Sequence, residues 1–490
     1  MTARAALAVA ALAAAACQVQ GGPPLQVLTE TARPRWRDDL PATSAIFDGA
    51  TVRLRGARGE VLGVEVLRPP ADPVDVALTL ADADVRGFAV DHAVVATPST
   101  TVLYGRSRGA GRYPDRLTPV AGPVATPRMA YFDVAIPAAA AVGVHRGELV
   151  VGDRRFPVEL TVEPVTLPAI DAQPWVWAYY NPNEIARVIG SRDDAATLAA
   201  ERDYAALLRG YGVIASPELT ADSWDARRPL VAGLRYVPVL LPREQPALDA
   251  EVRGWIARTA GTGVVPFAIP IDEPRTAEAQ ARVREVSGWV RAAGGGPGRF
   301  LYAVTHGPTP ALGDAIDVYI ASDAVRGGTL PPERAWTYNG APGWAGAMVV
   351  DADDAGTLRS WGWLGFAHDI PLWYVWDAFY WRDRHNRGRD LAPAHDLVAD
   401  PRTFDDGEDH GNLDGVLAYP GPLPSLRLAQ LRRGLTDRLL LEAAAARAGR
   451  PAVMALVRTI IPSHGPPRWP TSDAAWQHLR DRIYPLMYSK

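Results

Sequence analysis

From residue 51 to residue 162 the chain alternates apolar and polar positions with period two, in short runs. The runs are 51–55 (TVRLR), 61–67 (VLGVEVL), 74–80 (VDVALTL), 131–136 (YFDVAI), 147–151 (GELVV) and 156–162 (FPVELTV), with Gly, Pro and Asp between them. Successive side chains of a strand face opposite ways, so this pattern predicts antiparallel sheets packed as a sandwich. Residues 142–147 and 152–155 are expected to form a hairpin. Arg112-Tyr113-Pro114-Asp115 is expected to be a polar turn, with a loop reaching the neighbouring domain as the alternative.

After a proline-punctuated stretch at 165–174 the pattern changes. Short apolar runs now alternate with longer segments of helical period, which calls for a parallel sheet covered by helices. Strands are predicted at 175–180, 212–217, 236–241, 266–272, 300–306, 316–323, 335–339 and 371–377. Helices are predicted at 203–211, 247–262, 276–293 and 355–366, with two more at 425–448 and 472–487, the last capped by Ser472. Eight strands is the count of a (β/α)8 TIM-like barrel, so the fold expected is α/β plus all-β, a barrel preceded by an N-terminal β-sandwich. The expected boundaries are 26–165 for the sandwich, 172–450 for the barrel and 451–490 for a C-terminal helical extension.

Chemistry in such a barrel is expected at the C-terminal ends of the strands. There the sequence places Asn181, the adjacent Asp272 and Glu273, His306, Asp323, Tyr338 and Asn339, and Trp376 and Asp377. The acid pair stands out because an apolar run stops at two carboxylates followed by Pro274, which cannot extend a central strand. Two acids ahead of a helix also serve as an N-terminal cap, and rim residues also serve simply to solvate the barrel mouth. Both readings stay open on the residues alone.

Composition narrows the classes. The 490 residues carry a formal charge of −4, which gives no electrostatic case for nucleic acid. Fifteen tryptophans suit sugar rings as well as a core. No His-Glu-x-x-His, phosphate loop or Gly-x-Ser-x-Gly elbow occurs, and the nine histidines are scattered without metal-ligand spacing, so no metal or cofactor is expected. Cys17 is the one cysteine. It follows an apolar run from Ala5 to Ala16 that is too short to span a bilayer and reads as a signal peptide over 1–17. The placement of Cys17 after Ala14-Ala15-Ala16 resembles a lipoprotein cleavage site, with 18–25 as a tether. The expectation is an exported protein held at the membrane by a lipid anchor on Cys17, with plain secretion as the alternative.

Several stretches together resemble a bacterial family of domains of unknown function related to family 123 of the glycoside hydrolases. They are Tyr113-Pro114-Asp115, Asp272-Glu273-Pro274, Trp336-Thr337-Tyr338, Trp373 to Trp376, Asp414 to Gly421, Pro424 to Leu428 and Arg432 to Asp437. The chain departs from the family at Arg438, where an acidic residue is usual. The resemblance implies a glycosidase acting on β-linked N-acetylhexosamine, β-N-acetylgalactosaminidase-like, by substrate-assisted catalysis. Asp272 would polarise the 2-acetamido group, and Glu273 would serve as acid and then base. Tyr338 would bind the acetamido oxygen, and Trp336 or Trp376 would floor the sugar pocket. Glu273 needs a raised pKa for this role, which apolar walls and an ionised Asp272 would supply. Strand seven ends in Tyr338-Asn339 without a carboxylate, which favours the substrate as nucleophile. A conventional nucleophile at Asp323 or Asp377, and a non-catalytic carbohydrate-binding protein, are the alternatives.

Overall fold

Along the strand Met129–Ala135, Ala130, Phe132 and Val134 point into one hydrophobic core while Met129 and Tyr131 point into another. This two-sided burial organises the molecule. The computed structural model describes residues 25–353, 357–381 and 395–488. Cys17, tether residues 18–24 and residues 382–394 lie outside these residues.

Ten strands form the N-terminal unit: β1 (Gln26–Thr29), β2 (Val52–Arg58), β3 (Val61–Leu67), β4 (Val74–Leu80), β5 (Asp84–Val95), β6 (Gly111–Val120), β7 (Val124–Thr126), β8 (Met129–Ala135), β9 (Gly143–Val151) and β10 (Arg154–Thr166). They make two five-stranded sheets, β1-β3-β8-β5-β6 and β2-β10-β9-β4-β7. The β9–β10 hairpin turns at Gly152, whose φ of 60° is left-handed and costs glycine little. Residues 111–115 are part of β6 and not a turn. The sequence hid this because β6 pairs with β5 through a register shift at Asp91/His92, which breaks the alternation.

The second unit contains eight parallel strands, β11 (Val176–Tyr179), β12 (Val213–Ser216), β13 (Tyr236–Pro238), β14 (Val265–Ala268), β15 (Leu301–Val304), β16 (Val318–Ile320), β17 (Ala335–Tyr338) and β18 (Trp373–Val375). Each overlaps a predicted run, and all but β14, which starts one residue earlier, fall inside it. Their order is β12-β11-β18-β17-β16-β15-β14-β13. The sheet curls as a TIM-like barrel but no continuous ladder closes it. β12 and β13 meet through a single bridge, Leu219 with Val239, where Leu219 N–H donates to the Pro238 carbonyl at 3.0 Å. Pro217 and Pro238 lie on the facing edges and neither has an N–H to give, which accounts for the interrupted pairing.

Helices cover the barrel: α1 (Pro182–Ile189), α2 (Asp194–Arg209), α3 (Gln245–Thr259), α4 (Ala277–Ala292), α5 (Ser322–Arg326) and α6 (Ser360–Ala367). Thr276 caps α4 by accepting from Ala279 N–H. The 23-residue α7 (Leu426–Ala448), capped by Ser425, is buried on nearly every side over its first three turns. It crosses α6 at a point where a Cβ on Gly362 would fall 1.7 Å from the Gly434 carbonyl oxygen, so backbone meets backbone there. Its other faces meet the sandwich. Arg427 grips Asp115 with two hydrogen bonds of 2.9 Å, and Tyr419 donates to the same carboxylate at 2.6 Å. Arg432 pairs with Asp133, and Arg433 reaches Glu60 at 2.8 Å. Asp437 takes Arg359 on one oxygen and Arg480, from α8 (Asp473–Asp481), on the other. The arginine-rich stretch that carries the family resemblance is therefore the polar seam between the two units.

Candidate active site

Strand β14 ends at Ala268, and Asp272 and Glu273 follow four and five residues later at the strand's C-terminal side. Glu273 has φ of 40°, left-handed for a residue with a Cβ, at a cost of about 1–2 kcal/mol. Successive side chains of an extended chain point apart. The left-handed residue breaks that rule, and both acids engage the same arc of the rim. Thr305, just beyond β15, accepts from Glu273 N–H at 2.9 Å and donates its hydroxyl to Asp272 Oδ1. Tyr338, at the end of β17, donates to Glu273 Oε1 at 2.9 Å. The other oxygen of Glu273 pairs with Arg275, a largely exposed guanidinium. In place of the apolar walls expected from the sequence, Glu273 thus lies between a phenol and a cation.

Burial, followed by the charges of Glu273 and Asp272, pushes the Tyr338 phenol far above its ordinary range, so it is a donor at any accessible pH. Tyr338 lies over Tyr374 of β18, with ring centroids 6.3 Å apart and planes at 26°. Tyr374 in turn stacks on Trp177 of β11 at 4.7 Å and 16°. Tyr338 and Tyr374 therefore line one wall of the mouth, with Trp177 fully buried behind them. Trp336 is not among them. It is fully buried inside the barrel against Tyr236 and Phe267, so it backs the floor and does not form it. Trp376 is half-buried at the rim, 4.7 Å from Tyr380, with its N–H on Asp414 at 3.3 Å.

The other predicted rim residues take different tasks. Asn181 caps α1 by accepting from Asn183 N–H at 3.0 Å. His306 is half-buried and bonds the Gly307 carbonyl through Nδ1 at 2.6 Å. Asn339, left-handed at φ 47°, ties β17 to β18: its N–H donates to the Tyr374 carbonyl and its Oδ1 accepts from Trp376 N–H at 3.0 Å. Asp377 is fully buried and accepts from Phe379 N–H at 2.8 Å, as a residue shaping a turn does. Asp323 starts α5 with its side chain 79% exposed and 3.7 Å from Arg326.

Three members of the cluster escaped the sequence reading. Thr305 precedes His306 at a strand end, and Tyr374 lies within a strand already recognised. Glu218 follows β12. The signal was present there, since an apolar run stopping at Ser216-Pro217-Glu218 repeats the pattern of strand four, an apolar run giving way to proline and acid. Burial and then the charge of Asp272 raise the Glu218 carboxyl to about 7.

No family model matches the chain, and no curated protein matches its sequence. Among solved structures, a family 123 glycoside hydrolase from Clostridium perfringens, studied for glycolipid glycan hydrolysis, is similar in fold. The TM-score is 0.62 at 11% identity, covering 95% of this chain and 98% of that one. A family 2 glycosyl hydrolase from Bacteroides cellulosilyticus aligns over 71% of this chain and 46% of its own at 11% identity, with a TM-score of 0.27. The first likeness is one of architecture, a sheet domain joined to a TIM-like barrel. The residue assignments rest on the geometry above.

Proposed function

We propose that the chain is a glycoside hydrolase that cleaves β-linked N-acetylhexosamine, with N-acetylgalactosamine as the sugar suggested by the family resemblance, by a substrate-assisted retaining mechanism. The observation that carries this reading is the pairing of Asp272 and Glu273 on one arc of the barrel mouth, joined through Thr305 and faced by Tyr338. Adjacent carboxylates are too close to flank a sugar from opposite faces, as conventional acid and nucleophile do at about 5 Å across the ring. They suit one acid holding the acetamido N–H while the other serves the glycosidic oxygen.

In this scheme Asp272 accepts from the acetamido N–H and turns the acetamido oxygen onto the anomeric carbon. The new C–O bond forms as the glycosidic bond breaks, and Glu273 gives its proton to the departing oxygen. Glu273 then takes a proton from water, which attacks the anomeric carbon and opens the cyclic intermediate with net retention. The Tyr338 hydroxyl, held on Glu273 in the structure, would donate to the acetamido oxygen. The ring wall of Tyr338 and Tyr374, with Trp376 at the rim, receives the apolar face of the sugar.

The test is a panel of chromogenic β-glycosides with and without the 2-acetamido group. Hydrolysis confined to acetamido substrates and abolished in Glu273→Gln supports the reading. Equal turnover of substrates lacking the acetamido group would sink it in favour of a conventional mechanism, and glycan binding without turnover would leave a binding protein. Export with acylation of Cys17 belongs to the same proposal, and fatty-acid labelling lost in Cys17→Ser checks it.

A further inference from the structure

We propose that Tyr104 of the sandwich and Asp414 of the barrel are positioning residues for sugar binding, acting through the indole of Trp376. The inference rests on the reading above in which Trp376 receives the sugar at the barrel mouth.

The contact is built from three stretches far apart in the chain. Between β5 and β6 the chain leaves the sandwich, and its short helix Thr101–Tyr104 lies against the segment that follows β17. Asp351 of that segment anchors it. Ser99 donates to this carboxylate through its N–H at 2.8 Å and its hydroxyl at 2.6 Å, and Ser107 donates from beyond the helix at 2.6 Å. The Tyr104 ring packs with Ala347, Val349 and Ala352. A Cβ on Gly411 would fall 2.6 Å from the Tyr104 hydroxyl oxygen, so a side chain there would displace the phenol.

So placed, the hydroxyl donates to Asp414 Oδ2 at 2.8 Å. The other oxygen, Oδ1, accepts from Trp376 Nε1 at 3.3 Å and from Gly415 N–H at 3.0 Å. Burial, followed by the charge of Asp414, pushes the Tyr104 phenol far above its ordinary range, so it stays a donor. Tyr104 and Asp414 are both buried, whereas the indole in front of them is half-buried. A buried carboxylate is costly unless its oxygens are filled. The pair therefore favours the one ring orientation that keeps the indole N–H on Asp414.

The backbone of Trp376 is fixed as well. Its N–H donates to Asn339 Oδ1 at 3.0 Å, one residue from the Tyr338 that holds Glu273. Tyr380 and Phe404 pack on the ring with centroids at 4.7 Å and 5.9 Å. A ring set in advance spares the ligand the cost of ordering it on binding. Loss of the hold on Nε1 should therefore weaken sugar binding and leave proton transfer by Glu273 as it was.

The experiment is a double-mutant cycle of Tyr104→Phe and Trp376→Phe on 4-nitrophenyl 2-acetamido-2-deoxy-β-galactopyranoside, with melting curves for each protein. Tyr104→Phe keeps the ring and removes the hydroxyl; KM should rise about 3–10-fold with kcat within about twofold of the wild type. In the Trp376→Phe background, which has no indole N–H to hold, the same change should add no further rise. Equal rises in both backgrounds, a loss confined to kcat, or a Trp376→Phe variant with unchanged KM would overturn the inference, because a merely structural Tyr104 acts whether or not the indole is there. Asp414→Asn, which keeps a side-chain oxygen for the indole, should hold KM below that of Asp414→Ala, and equal values in these two would also count against it. If glycosides without the acetamido group are cleaved equally well, the assisted mechanism fails, and the cycle decides this inference on those substrates by the same criterion. Where the protein binds without turnover, dissociation constants take the place of KM, and a wild type that neither cleaves nor binds these sugars overturns both readings.

Discussion

The Tyr338 hydroxyl donates to Glu273 Oε1 at 2.9 Å, joining the end of strand seven to the loop after strand four across the barrel mouth. A hydrogen bond to a charged partner is worth about 1.5–3 kcal/mol, more than a neutral one. Tyr338→Phe keeps the ring wall and removes only the donor. We expect a fall of about 10–100-fold in kcat/KM on an acetamido glycoside with an unchanged melting temperature. Full activity in this variant would remove Tyr338 from the mechanism.

Asp115 and Arg427 are both buried and meet through two hydrogen bonds of 2.9 Å, with Tyr419 on the same carboxylate. Removing one partner leaves a buried charge uncompensated, at a typical cost of about 3–5 kcal/mol. Asp115→Asn should therefore lower stability toward urea by that order although it lies far from the acid pair. Joint replacement, Asp115→Asn with Arg427→Met, should cost less than Arg427→Met and Asp115→Asn measured singly and summed. Strict additivity would show that the pair does not couple the two units.

Glu218 offers a pH test with a definite sign. Its carboxyl titrates at about 7 in the folded protein, because of burial and then Asp272, against an ordinary value of 4.5. The folded state therefore holds this proton more tightly than the unfolded chain. The stability it contributes is fully present below about pH 4.5 and is lost as pH rises through 7. At about 1.4 kcal/mol per pH unit, reduced by partial solvent screening, the loss is on the order of 1–3 kcal/mol. Glu218→Gln, which never ionises, should be more stable than the wild type at pH 8 and no more stable at pH 4.5. Parallel melting curves at both pH values would contradict the burial of this acid.

The barrel strands and six of the ten sandwich strands were legible because each is a local pattern, whereas β1, β5, β6 and β7 were not. Apolar runs of four to seven residues bounded by Pro, Gly or Asp located all eight barrel strands, and Ser472 announced its helix, accepting from Ala475 N–H as a cap. The acid pair was legible for the same reason, since an apolar run that ends in carboxylates and proline marks a strand end. The missing ladder between β12 and β13 was not, although Pro217 and Pro238 are plain in the sequence. Their effect depends on which edges face each other.

What the sequence determined by itself is therefore the set of elements and the strand ends that carry polar groups, because backbone period and proline chemistry act within a few residues. The tertiary structure alone decided which polar groups stay wet. The alternation in β3 and β8 looked like sheets with one solvated face, yet Glu65, Tyr131 and Asp133 are buried against the barrel, with Arg432 taking Tyr131 and Asp133. Trp336, a candidate for the sugar floor, went into the barrel interior, while the carboxyl of Glu218, which the linear pattern did not single out, is raised by burial and by the charge of Asp272. Burial and charge pairing are set by residues hundreds of positions apart, and only the assembled fold brings those partners into contact.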